Sequence, residues 1–327
     1  MNFIKKMDEN FWKEKKILIT GGYGFLGSHV VKILSELKKP HDELILFHRK
    51  DFDLRKEGEV RKLFEIHKNI EIVIHLAADV GGIGYNRMFP GKVFYNNLMM
   101  NTLIMEYSRI YGVKKFVGVG SVCSYPKFAF VPFREEKLWD GYPEETNAPY
   151  GFTKKMMLVQ GQAYRQQFGF NAIHLLMINL YGPGDNFDQE NSHVIAGLIR
   201  KFCEAQIRND GKVILWGTGK ASREFLYVED AAEAIVLATE KYNKPEPINI
   251  GAGFEIKIKD LAELIAKLTG FKGKIVWDTS KPDGQPRRCL DVSKAEKEFG
   301  FKAKTSLEEG LKKTIHWFNQ HYKEINK

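Results

Sequence analysis

Gly21, Gly24 and Gly27 recur at every third position between an apolar run, Lys16-Ile17-Leu18-Ile19-Thr20, and a stretch whose apolar residues return at helical spacing: Val30, Val31, Ile33, Leu34 and Leu37. No other feature narrows the fold of this chain so far. An apolar run that enters glycines reads as a buried strand. The glycines permit a turn too tight for ordinary side chains and let backbone approach a ligand closely. The helix that follows aims its free N–H groups and positive dipole end back at the turn. Strand, glycine turn and helix in this order make a cradle for a diphosphate. Gly21, Gly24, Phe25, Leu26 and Gly27 are its expected contacts.

Strands and helices then alternate. Strands are expected at Glu43–Phe47, Ile72–Leu76, Lys115–Gly120 and Ala172–Ile178, separated by helices at Val60–His67, Phe94–Tyr111 and Tyr150–Phe168. That rhythm predicts an α/β protein with a Rossmann-type, doubly wound parallel sheet. The second half is less regular. A polar loop at Pro183–Asn191 leads to a helix at Ser192–Ala205, a strand at Lys212–Trp216, a helix at Val228–Lys241 and a strand at Ile248–Ile250. Two more amphipathic helices follow Lys259 and end near Tyr322. We therefore expect a dinucleotide-binding domain over 1–180, with 223–250 returning to it, and a smaller α/β substrate domain from 181–222 and 251–327.

Composition removes other classes. With 43% hydrophobic and 28% charged residues, the chain is neither disordered nor fibrous. Fifty Lys and Arg against 41 Asp and Glu leave a net charge of +9, which favours anionic ligands. The charges are dispersed, so no nucleic-acid partner is expected. Three cysteines make no disulfide framework and show no C-x-x-C spacing, so neither a metal site nor an oxidising compartment is expected. The N-terminus reads as no signal peptide, and no apolar run reaches the roughly 18 residues of a membrane span. The expectation is a cytoplasmic protein.

Two further patterns carry chemistry. The segment after the second strand reads Phe47-His48-Arg49-Lys50-Asp51. Basic residues there accommodate the 2′-phosphate of NADP, whereas an acidic one holds the ribose of NAD. Arg49 and Lys50 thus favour NADP, with a plain solvated turn and NAD as the other possibilities. Asp53 either caps the next helix or contacts the adenine region. Tyr150 and Lys154 form Y-x-x-x-K, one turn apart on one helix face. A lysine ammonium beside a tyrosine favours the phenolate and moves its pKa, ordinarily about 10, toward working pH. Ser121 ends the fourth strand, where parallel sheets gather their ligands.

Together the glycine turn, Leu76-Ala77-Ala78, Gly120-Ser121, Tyr150/Lys154 and Asn179-Leu180-Tyr181-Gly182-Pro183 resemble the extended short-chain dehydrogenase/reductase family. Further segments narrow the likeness: Val80 to Ile83, Ser121 to Lys127, Asn191 to Ile195, Trp216 to Gly219, Arg223 to Leu226 and Pro282 to Arg287. They resemble the branch that epimerises C3 and C5 of GDP-4-keto-6-deoxy-D-mannose and reduces C4 with NADPH. The resemblance implies Ser121, Tyr150 and Lys154 as the reductase set, with Cys123 and His193 as the acid/base pair of epimerisation. It implies cofactor contacts at Arg49, Leu76, Ala77, Ala78, Tyr150, Lys154, Asn179 and His193. Substrate contacts follow at Ser121, Asn179, Lys201, Trp216, Arg223 and Asp283, Lys201 standing where the family usually carries arginine. A homodimer through helices Phe94–Tyr111 and Tyr150–Phe168 is also implied. Reductases or epimerases of other GDP-sugars, 4-epimerases of UDP-sugars, and a non-catalytic protein of the same fold are the competing readings.

Overall fold

The computed structural model describes residues 7–37, 44–189, 191–281 and 284–325. Asp283 and the first residue of the strand expected from Glu43 lie outside them.

Six strands form one all-parallel sheet in the order Leu44–Ile45, Ile17–Thr20, Ile72–His75, Lys115–Ser121, Ala172–Met177, Ile248–Ile250. Ile17–Thr20, Ile72–His75 and Ala172–Met177 are buried at every position. This is the continuous apolar pattern of a sheet covered on both faces. The chain order reverses between the first and third strands. The crevice of such a sheet opens at that reversal, outside the carboxyl ends of the strands. The glycine turn follows the first of these strands and Leu76-Ala77-Ala78 follows the other.

Gly21 takes φ +71°, and a Cβ there would lie 2.9 Å from the Ala77 nitrogen. The turn and the third strand's end therefore touch backbone to backbone. The helix begins at Phe25, closer to the turn than its apolar spacing alone indicates, and runs to Leu37.

Beside the main sheet, Ser222–Tyr227 pairs with Glu255–Lys257, Arg287–Arg288 and Asn179–Tyr181. Lys274–Asp278 pairs in parallel with Lys212–Trp216. After Lys257 the described residues form three helices, Ile258–Thr269, Ser293–Phe299 and Leu307–Ile325, where the sequence pattern indicates two. The extra helix has seven residues and buries only Ala295 and Phe299, too few to repeat a helical period. None of the described helices is long and apolar enough to cross a membrane.

Glu224 ties these parts together. It is fully buried, and its carboxylate accepts the backbone N–H groups of Ala252, Gly253 and Leu290 at 2.6, 2.8 and 2.6 Å. Burial raises its pKa, and the three backbone hydrogen bonds work against that rise. Glu224→Ala leaves three buried donors unpaired, so we expect a loss of about 3 kcal/mol. The check is the urea midpoint at unchanged m; a shift worth less than about 1 kcal/mol contradicts this account.

Candidate active site

A cavity of about 1270 Å³ opens along the carboxyl ends of the strands. One end is walled by Gly21, Gly24, Phe25, Leu26 and Gly27, together with Leu76, Ala77, Ala78 and Arg49. Ser121, Cys123, Tyr150, Lys154 and His193 line the same cavity further along. Asn179, Lys201, Trp216 and Arg223 complete the other end. Lys50, which the basic turn suggests as a cofactor contact, does not reach the cavity wall.

Ser121 is the last residue of its strand, and its Oγ accepts the Cys123 N–H at 3.2 Å. This caps the single helical turn Val122–Ser124 and fixes where the cysteine sits. The helix Ala148–Phe168 packs directly on that turn. A Cβ on Gly151 would lie 2.9 Å from the Cys123 carbonyl carbon, so only glycine admits this approach. It carries Tyr150 to the neighbourhood of Cys123. Arg288 arrives from a distant part of the chain, its Nη1 3.8 Å from Cys123 Sγ. Gln285 accepts from Arg288 Nε at 2.8 Å and donates to the Lys127 carbonyl at 2.8 Å, which holds the guanidinium in place.

The Lys154 Nζ lies 5.6 Å from the centre of the Tyr150 ring. Burial lowers Lys154 to about 8. Burial also raises Tyr150 above its ordinary value, and the neighbouring Cys123 charge adds to the rise. Burial thus works against the lysine-stabilised phenolate that the spacing suggests. Removal from water penalises the charged form of both groups. Tyr150 is a neutral phenol, able to donate.

Beneath this pair runs a buried chain of hydrogen bonds. Thr20 Oγ1 meets His75 Nδ1 at 2.7 Å, and His75 Nε2 meets Asn101 Oδ1 at 2.9 Å. Asn101 Nδ2 donates to the Thr153 carbonyl at 3.2 Å. Burial, then the Lys154 charge, brings His75 down to about 3, so its ring is neutral. Asn101 Oδ1 only accepts, so Nε2–H donates to it and the neutral ring leaves Nδ1 to accept from the Thr20 hydroxyl, whose oxygen also accepts the Ala77 N–H at 3.2 Å. The chain links the glycine turn's strand to the helix that carries Tyr150 and Lys154.

His193 precedes the helix Val194–Arg208, with Nδ1 3.9 Å from the buried Asp185 carboxylate. Asn179 donates its side-chain amide to the Glu224 carbonyl at 3.0 Å. Trp216 is 69% exposed, with Lys201 and Lys281 Nζ at 6.0 and 5.7 Å from its ring. This is a flat platform flanked by cations. Asp185, Arg288 and the pairing of Arg55 with Asp53 escape the sequence reading. Asp185 sits in the polar loop Pro183–Asn191, the only hint available, and Arg288 carries no local signal.

The plan is that of a dinucleotide-binding α/β protein with its polar and titratable groups gathered at the strand ends. The chain belongs to the NAD dependent epimerase/dehydratase family, whose pattern matches residues 17–251. Among curated proteins, it is 43% identical to the GDP-L-fucose synthase of Sinorhizobium fredii, over 93% of this chain and 95% of that one. A solved GDP-L-fucose synthetase from Naegleria fowleri, bound to NADP, superposes with a TM-score of 0.86 at 31% identity, covering 96% of this chain and 97% of that one. A GDP-6-OMe-4-keto-L-xylo-heptose reductase from C. jejuni gives 0.87 at 29% identity, covering 96% and 99%.

Proposed function

We propose that this protein is an NADP-dependent epimerase/reductase that inverts C3 and C5 of GDP-4-keto-6-deoxy-D-mannose and reduces C4, yielding GDP-L-fucose. The observation that carries this is the presence of Ser121, Cys123, Tyr150, Lys154 and His193 on the wall of the cavity onto which the glycine turn opens. The relatives' names and the NADP-bound neighbour support the same reading.

Each group has a task suited to its chemistry. The C4 ketone acidifies the protons on C3 and C5. Cys123 removes a proton from one face and His193 returns one on the other. Ser121 and Tyr150 donate hydrogen bonds to the C4 oxygen, where negative charge develops. Bound NADPH supplies the hydride for the reduction that follows. Its diphosphate would rest on the glycine turn and its 2′-phosphate near Arg49. Tyr150 then gives its proton to the C4 oxygen, and Lys154, near pKa 8, restores it. Lys201, Trp216, Arg223 and Asp283 serve the nucleotide and sugar.

The test feeds GDP-4-keto-6-deoxy-D-mannose to the protein in deuterated water, with and without NADPH. Deuterium at C3 and C5 together with NADPH consumption is expected. Consumption without deuterium would leave a C4-reductase, the reading favoured by the heptose-reductase likeness. Absence of both deuterium and NADPH consumption would sink the proposal and turn attention to other nucleotide sugars.

By the same reading, residues 1–180 with 228–250 hold the dinucleotide, and 181–227 with 251–327 hold the nucleotide sugar: the expected return at 223 comes later, because Ser222–Tyr227 pairs in the side sheet and the chain rejoins the main sheet at Ile248–Ile250. Three free thiols fit a reducing compartment, the cytoplasm. Two copies pair through helices Pro90–Ile110 and Ala148–Phe168, which pack on each other and leave Phe94, Tyr95, Met156 and Val159 at least 39% exposed. Light scattering at micromolar protein should give a dimer mass; a monomer there refutes the pairing.

A further inference from the structure

His193 reaches the cavity, but the carboxylate behind it does not. Asp185 lies off the cavity wall, and its side chain is 3% exposed against 47% for His193. The two meet at 3.9 Å, from Asp185 Oδ1 to His193 Nδ1. Among the described residues no other carboxylate comes within 4 Å of that imidazole. The Asp185 carboxylate is only half satisfied. Its Oδ1 accepts the Asn186 N–H at 2.7 Å, whereas Oδ2 is buried with no hydrogen-bond partner among the described residues. An acceptor buried without a donor costs free energy, and more so when it carries charge. An oxygen left open in this way calls for a donor that comes from elsewhere.

The loop that carries Asp185 is held on three sides. The Asp185 N–H donates to the Gly182 carbonyl at 3.3 Å. His29 Nε2 meets the Pro183 carbonyl at 3.0 Å, which ties the loop to the helix that follows the glycine turn. Arg200 Nη1 donates to the Phe187 carbonyl at 2.7 Å, which ties it to the helix that follows His193. The carboxylate is therefore fixed in place. The imidazole is the half of the pair with room to move. It stands on extended backbone one residue ahead of the helix Val194–Arg208, with half its surface open. About 1 Å of ring movement turns the contact into a hydrogen bond. Catalytic contacts are often this long until substrate arrives.

We propose that Asp185 is the positioning residue of His193: its carboxylate accepts a hydrogen bond from Nδ1–H and so turns Nε2 toward the sugar. This rests on the reading of His193 as the acid of epimerisation. Asp185 touches neither substrate nor cofactor and acts only through the imidazole. In each inversion Nε2 gives its proton to the sugar carbon, where a C–H bond forms. The ring is left neutral with its remaining proton on Nδ1, and a solvent proton then recharges Nε2. A neutral imidazole can hold its proton on either nitrogen, and the partner of one nitrogen decides which. Asparagine in place of Asp185 keeps the shape and the acceptor for Asn186. Its amide can instead donate to Nδ1, which leaves the proton on Nε2 and the wrong nitrogen facing the sugar.

The experiment uses the whole protein and two readouts. Nitrogen NMR of isotope-labelled histidine reports which imidazole nitrogen holds the proton when the ring is neutral, with His193→Gln identifying the signal. Wild-type protein should carry it on Nδ1, and Asp185→Asn should move it to Nε2. Deuterium exchange at C3 and C5 should fall at least about tenfold in Asp185→Asn. Reduction of ketone already epimerised should stay within about threefold of wild type, which also shows that the variant is folded. An imidazole proton that does not move, a smaller fall in exchange, or an equal fall in reduction overturns the proposal. Wild-type protein that exchanges neither proton overturns the underlying reading, while the NMR signal, taken without substrate, still judges the pair Asp185 and His193 by itself.

Discussion

Tyr150→Phe reduces C4 at least about a thousandfold more slowly than wild type, while NADPH binds within about threefold of its wild-type affinity. The half-buried ring keeps its place, since only an oxygen is removed. Lys154 keeps its position one turn along the helix. What is lost is the proton that the C4 oxygen needs as hydride arrives. Burial keeps that proton on the phenol in the wild type, the correct form for a donor in the reductive direction. The same hydroxyl supports the C4 oxygen during epimerisation, so solvent exchange at C3 and C5 should fall as well. The loss there is nearer a hundredfold, the usual cost of one oxyanion donor. The measurement pairs NADPH oxidation in single turnover with deuterium incorporation. A variant that still reduces at a tenth of the wild-type rate would remove Tyr150 from the proposed role.

Cys123→Ser separates the two halves of the reaction. Serine fills nearly the same space and keeps the cap from Ser121, but its hydroxyl is a far weaker base than a thiolate. Exchange at C3 and C5 should drop by about a thousandfold. Reduction of ketone already epimerised should fall less than about tenfold, because Ser121, Tyr150 and Lys154 remain. The other cysteines do not confuse the result: Cys203 and Cys289 are buried, and burial pushes both thiols up to about 12. Exchange in the variant within tenfold of wild type would show that another group is the base.

Much of the framework is readable along the chain because its signals are local. The glycine turn declares itself by three residues and two flanking patterns. Tyr150 and Lys154 face one way because a helix turn separates them. Strands buried on both sides are plain apolar runs. The short helix Ser293–Phe299 and the two-residue strand Arg287–Arg288 escape this reading, since neither is long enough to repeat a period.

The charges at the site are another matter. Arg288 lies 165 positions from Cys123, and nothing near either residue announces the other. Asp53 and Arg55 are only two positions apart, yet their mutual grip depends on the loop conformation and on Asn96 from a separate helix. Tyr150 makes the same point. Its neighbour Lys154 is plain from spacing, but the direction in which its pKa moves is governed by burial, a property of the packed whole.

Local pattern was therefore enough to place the six strands of the main sheet and the phosphate-sized turn, while the thiol and imidazole groups were implied only by the likeness to a known family. Packing alone brought Arg288 to Cys123, Asp185 to His193 and Arg55 to Asp53. The reason is physical: backbone geometry repeats over a few residues and leaves its mark in the sequence, whereas electrostatic environment depends on which distant segments exclude water from one another.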